Sequence, residues 1–182
     1  MKILSKNFFD RPTLVVAKQL LGKFLIRKIG SRKIVGMITE VEAYVGFEDK
    51  ASHASRGLTE RTKVMFGKPG QWYVYMIYGM YHCLNVVTER RGFPAAVLIR
   101  SIALIKYGGN YGSPTSVVAG PGRVCKHFQI DRKVNKKVAS RRGGLWIEDG
   151  GIKISSGMIR KGKRIGVDYA GVWKNKLWRF YL

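Results

Sequence analysis

Runs of β-branched and aromatic residues set off by glycine recur along the chain, and they constrain its fold more than any other feature. "KFLIRKI" and "RKIVGMITEVEAYVG" read as two strands joined by a turn at Gly30-Ser31. "GQWYVYMIYG" and "MYHCLNVVTE" read as two more around Gly79, and "FPAAVLIRSI" as a buried strand. Near the C-terminus, "GGLWIEDGGIKISSG", "RIGVDYAG" and "LWRFYL" are short and strand-like. Two segments carry helical spacing: "DRPTLVVAKQLLG", with Thr13 as a cap and Gly22 as its stop, and "GPGRVCKHFQI", with Pro121 in the first turn. Residues 46–70 are expected to be loop with at most a short helix, and 106–119 a loop of Gly, Ser and Tyr. Several strands with few helices and no regular βαβ alternation predict an α+β fold. It is expected as a single mixed domain over 1–182, built on an antiparallel β-sheet with flanking helices.

Charge separates this chain from an ordinary globular domain. It holds 34 Lys and Arg against 11 Asp and Glu, a formal +23. Residues 131–182 contribute 14 bases and 4 acids, and residues 1–130 contribute 20 and 7, so the excess belongs to the folded surface rather than to a tail. A polyanionic partner is implied, with binding that weakens steeply as salt rises. No apolar run approaches transmembrane length: "AAVLIRSIALI" is too short and carries Arg100 at its centre. The N-terminus has no signal-peptide pattern, so an intracellular location is expected, nucleoid-associated in the cytoplasm or nuclear. Cys83 and Cys125, with His53, His82 and His127, show no ligand spacing; neither metal nor organic cofactor is expected.

Against that background the few acids stand out. Glu40, Glu42, Glu48 and Asp49, four of the eleven, fall within ten residues of "EVEAYVGFED". Strand alternation puts Val35, Met37, Thr39, Val41 and Ala43 on one face, read as the core face, and Glu40, Glu42 and Tyr44 on the other. A solvated face of carboxylates paired with lysines is the ordinary meaning of such a pattern, and alternation does not choose between Glu40 and Glu42. Residues 73–81, "YVYMIYGMY", hold four of the nine tyrosines. Such runs usually fill a sheet surface, but in a basic protein they also suit stacking on unpaired bases. Chemistry on a base requires the base to be extruded and held between aromatic walls. Breaking its bond to the sugar builds positive charge that a nearby carboxylate stabilises while activating water.

The blocks "EVEAYVGFEDKASHASRG", "MFGKPGQWYVYMIYGMYHCLN", "VLIR", "AGPGRVC", "RIGVDYAG" and "WRFYL" closely resemble the alkyladenine, or 3-methyladenine, DNA glycosylase family, in order and over nearly the whole chain. The resemblance implies a monofunctional base excision repair hydrolase, built on a curved antiparallel β-sheet, that acts on double-stranded DNA containing damaged purines; a monomer is expected. It implies Glu42 as the general base, with Arg100 and the main-chain carbonyl of Ile165 helping to hold the water. Tyr44, His53 and Tyr75 correspond to the walls of the base pocket, and Asn85 to a gate for purine substituents. Tyr78 corresponds to the wedge that replaces the flipped nucleotide, with Met80 and Tyr81 beside the DNA backbone. The chain departs from the family pattern at Glu60 and Thr62, after Arg100 in "SIALIKYGG", and at Leu177. None of these touches Glu42 or the tyrosines. A non-catalytic nucleic-acid module stacking bases on the same tyrosines is the alternative reading; it needs no Glu42.

Overall fold

The computed structural model describes residues 2–105 and 114–182. Two long strands form its spine, β3 (Arg32–Val45) and β6 (Ala95–Ile105), paired antiparallel. On one side β3 pairs with β2 (Phe24–Ile29) along its first half and with β10 (Arg179–Tyr181) along its second. β8 (Leu145–Asp149) and β1 (Lys2–Ile3) continue the sheet beyond β2, while β9 (Arg160–Gly162) lies outside β10. On the other side β6 pairs with β7 (Pro114–Ala119) and with β5 (Tyr81–Val87), which forms a hairpin with β4 (Trp72–Ile77). Among the described residues every pairing is antiparallel and the sheet is not closed. The outer edge of β4 is covered: Val74 N–H donates to Asn135 Oδ1 at 3.0 Å and Trp72 N–H to the Lys137 carbonyl at 2.8 Å.

The core lies between one face of this sheet and the helices α2 (Thr13–Leu20) and α3 (Pro121–His127), with a short α1 (Lys6–Phe9) leading into α2. Helix α2 buries Thr13, Val16, Ala17 and Leu20, the stripe that its spacing predicts. Thr13, however, is the first helical residue and not the cap. Its N–H and its hydroxyl both donate to Glu89 Oε1, at 2.8 and 2.9 Å, so a distant carboxylate satisfies the helix start.

Three expectations are corrected. Residues 46–70 contain two 3₁₀ turns, His53–Arg56 and Lys63–Phe66, rather than at most one short helix. Of the loop expected over 106–119, residues 106–113 lie outside the described residues, and Pro114–Ala119 is strand β7 on the edge of β6. "RIGVDYAG" is a loop running into the 3₁₀ segment Asp168–Asn175; its Arg164, Val167 and Ala170 are buried against neighbours instead of alternating along a sheet.

The reading of β3 as one uninterrupted alternation also fails. Ile38 faces Ile102, Glu40 faces Ser101 and Val41 faces Ile99, so Thr39 is an extra residue in β3 and Arg100 an extra residue in β6. Each bulge switches which parity faces inward. Ile34 and Ile38 before the bulge, and Val41 and Ala43 after it, all belong to the main core. Val35 and Met37 lie on the opposite face with Phe24, Ile26 and Trp146. Glu42 and Tyr44 share that second face.

Candidate active site

The candidate site lies on the second face, opposite the main core, where Pro121 at the start of α3 also reaches it. Glu42 is completely buried. Its Oε1 accepts the N–H of Ile165 at 2.8 Å and lies 3.4 Å from Arg100 Nη1, while its Oε2 accepts the Tyr44 hydroxyl at 2.8 Å. Burial raises its pKa above the usual carboxylate range, and Arg100, the Ile165 N–H and Tyr44 only partly offset that. Its neighbour Glu40 is in the opposite condition. Burial again pushes its pKa up, but the Ser101 hydroxyl at 2.7 Å and Arg179 at 2.9 Å, with Arg100 at 3.4 Å, outweigh it and the net shift is downward. Two carboxylates two positions apart are thus pushed in opposite directions, and Glu42 is the stronger base.

A cavity of about 450 Å³ opens in front of this group. Tyr44, Arg100 and Ile165 each touch Glu42 on one side and line the cavity on the other, so they form the partition between carboxylate and cavity. The resemblance assigns the Ile165 carbonyl to water; the contact with Glu42 is made by the N–H of the same residue.

The walls come from β4, β5 and the 3₁₀ turn at His53. The His53 and Tyr75 rings meet edge-on, centroids 4.6 Å apart at 81°, and His53 Nδ1 lies 2.8 Å from the Tyr73 hydroxyl. Burial, reinforced by Arg61 and Arg56, pushes the His53 pKa down to about 4, so the imidazole is neutral at physiological pH. Arg61 lies 5.1 Å over the Tyr75 ring and 3.4 Å from His53 Nε2, which suits a proton on Nδ1 donated to Tyr73. Asn85 is buried, its Nδ2 donating to the Tyr73 carbonyl at 3.1 Å, and it too lines the cavity. Burial raises the pKa of Tyr44 and Tyr75 well above the usual tyrosine value, which keeps both phenols protonated.

At the rim, the β4–β5 hairpin turns through Tyr78 (φ 52°) and Gly79 (φ 68°), closed by Met80 N–H to the Ile77 carbonyl at 3.2 Å. Left-handed backbone suits glycine; on tyrosine it is strained. Tyr78 is 85% exposed and Met80 67%, while Tyr81 packs against the backbone of Gly122.

Of the residues to which the resemblance assigns roles, Tyr44, His53, Tyr75, Tyr78, Asn85, Arg100 and Ile165 line the cavity, Glu42 stands behind three of them, and Met80 and Tyr81 follow Tyr78 on the hairpin outside the lining. Reading the sequence missed Arg61, Tyr73 and Cys83 as cavity residues, and missed the buried pair of Asp49 and Arg164 behind Tyr44. Tyr73 and Cys83 share the outward parity of Tyr75 and Asn85 on their strands, a signal available once those faces are known. Asp49 was visible only as one of the four clustered acids. Among the described residues, no group of histidines, cysteines or acids is arranged to hold a metal ion, and no helix is long and apolar enough to cross a membrane.

Comparison with known proteins gives the family of the chain. The family described as methylpurine-DNA glycosylase (MPG) matches residues 7–182. A protein of Methanocella arvoryzae is 47% identical over all of this chain and 92% of its own length. One from Legionella pneumophila (strain Corby) is 46% identical over all of this chain and 95% of its own. One from Myxococcus xanthus is 43% identical over all of this chain and 91% of its own. All three bear the name "Putative 3-methyladenine DNA glycosylase". The chain belongs to the methylpurine-DNA glycosylase family: it is a DNA glycosylase of base excision repair, a hydrolase acting on N-glycosyl bonds.

Proposed function

We propose that the enzyme removes alkylated or deaminated purines, 3-methyladenine and 7-methylguanine foremost and hypoxanthine or ethenoadenine at the margin, from double-stranded DNA, with Glu42 activating the attacking water. One observation carries the reading: a buried carboxylate of raised basicity stands directly behind a tyrosine-walled cavity, separated from it by residues that already bond it. A purine rotated out of the duplex fills the space between Tyr44, Tyr75 and His53, and Asn85 tests its edge. Tyr78, projecting from the rim, occupies the space the base has left. Met80 and Tyr81 lie along the backbone.

Water admitted at the partition gives its proton to Glu42 as its oxygen bonds the sugar C1′. The glycosidic bond breaks and its electron pair leaves with the purine. An N-alkylated purine is cationic and departs neutral; a neutral lesion needs protonation as it departs. Arg100 and the Ile165 carbonyl hold the water. No lysine takes part, so the product is an intact abasic strand.

The test is product analysis on methylated duplex DNA. Free 3-methyladenine with an unbroken abasic strand, and no adduct trapped by borohydride, is the expected result. A strand nicked at the lesion with a trapped adduct would replace water attack with a lysine Schiff base.

A further inference from the structure

Asp49 has no part in the reaction just described, yet it is fully buried, as is its partner Arg164. The pair is bidentate: Nη1 to Oδ2 at 2.5 Å and Nη2 to Oδ1 at 2.7 Å. Asp49 also accepts the N–H of Val45 and of Ala51, each at 3.1 Å. Arg164 donates further to the Ala43 carbonyl at 2.9 Å and the Trp173 carbonyl at 3.2 Å. Its guanidinium carbon lies 4.9 Å from the centre of the Tyr44 ring and 5.1 Å from that of Trp178.

Taking two charges out of water is costly, and apolar residues of the same volume often serve stability as well. Stability alone is therefore a weak reason for this pair. Its placement suggests another. Arg164 holds Ala43 and Tyr44 on one side of Glu42 and is the chain neighbour of Ile165 on the other. Asp49 ties both to the loop after β3.

Resting on the proposed role of Glu42, we propose that Asp49 and Arg164 are a positioning pair that fixes two hydrogen-bond donors, the Ile165 N–H and the Tyr44 hydroxyl, on the Glu42 carboxylate. Neither residue touches the reacting atoms. With the pair loosened, both donors drift and Glu42 keeps its burial but loses the contacts that favour its ionised form. The groups facing Glu42 are Arg100 from β6, Tyr44 on its own strand, Arg164 and Ile165 from the 163–167 loop, Tyr75 from β4 and Cys83 from β5. Burial already raises the Glu42 pKa, so loss of donors raises it further, and the acidic limb of activity moves to higher pH.

The experiment is the pH profile of single-turnover 3-methyladenine release from methylated duplex DNA. Native enzyme, Arg164→Lys, Asp49→Asn and Glu42→Gln are compared with Leu20→Ala, a core variant of α2 remote from the cavity. Arg164→Lys keeps the charge but loses the fork and the stack. It should lower kcat about tenfold and move the acidic limb up by roughly half a unit or more, with DNA affinity within about twofold of native. Leu20→Ala should lose stability with its pH profile unmoved. If Asp49→Asn does not fold, Arg164→Lys decides. An Arg164→Lys profile that matches the native or Leu20→Ala profile overturns the positioning role while the glycosylase reading stands. Release by Glu42→Gln at the native rate removes the reading beneath it.

Discussion

Thr39 of β3 and Arg100 of β6 are paired bulges separated by a single in-register step, Glu40 opposite Ser101. At that level β3 changes partner from β2 to β10, and β6 changes from β7 to β5. The two insertions compensate, so register is the same before and after, yet the side chains beyond them are displaced by one place. In consequence the Arg100 guanidinium lies between Glu40 and Glu42, 3.4 Å from each.

Removing that shared cation should leave two poorly hydrated carboxylates without it. Arg100→Met is expected to lose about 3 kcal/mol of stability near neutral pH. The deficit should shrink as pH falls and the carboxylates take up protons. Denaturant melts across the acid range would check this; a deficit independent of pH would mean that lost packing of the arginine stem dominates.

His53 makes an independent prediction. Its folded pKa, about 4, is depressed below the ordinary 6.5. Between those values the unfolded chain binds a proton that the folded protein does not, so stability rises with pH in that window. The contribution is fully present above pH 6.5 and is lost progressively toward pH 4, to a total of roughly 3 kcal/mol. His53→Gln should flatten that part of the stability curve, as followed by urea unfolding at intervals through the window. An unchanged slope would show that His53 titrates normally.

Tyr78 separates stability from activity. A tyrosine at φ 52° gives up about 1 kcal/mol that glycine would not. Tyr78→Gly should therefore leave thermal stability unchanged or slightly raised, within about 1 kcal/mol. Base release from duplex DNA should fall by about tenfold or more, because extrusion of the base loses its wedge. Release from single-stranded DNA should fall much less. Equal losses on both substrates would assign Tyr78 to the cavity wall rather than to the duplex.

Much of this was legible in the sequence because it is local. Strand runs such as "WYVYMI" and the helical spacing of "TLVVAKQL" carry their own periodicity, and the antiparallel α+β arrangement follows from their order. The bulges were not legible, since neither Thr39 nor Arg100 carries a local sign of the other, and their effect inverted the assumed core face for Val35 and Met37. The loop at 163–167 reads as strand because Ile165 and Val167 are β-branched. It is instead tethered by Arg164 to an aspartate far away in sequence, and no pattern in one chain announces that pairing. The sequence of β7 reads as loop because its Pro and Ser are turn residues, although its place on a sheet edge tolerates them. At the site, alternation correctly put Glu42 and Tyr44 on one face. The resemblance, rather than spacing, distinguished Glu42 from Glu40, and the opposite pKa shifts of the two carboxylates favour the same choice.

The role of Glu42 is tested most directly by single-turnover release of 3-methyladenine from methylated duplex DNA by the native enzyme and by Glu42→Gln, with DNA affinity measured in parallel. Glutamine has the same shape and can still accept the Ile165 N–H, but it cannot take a proton from water. The expected result is a loss in rate of about a thousandfold or more with affinity held within about threefold. A Glu42→Gln enzyme that binds DNA and releases base at the native rate would contradict it.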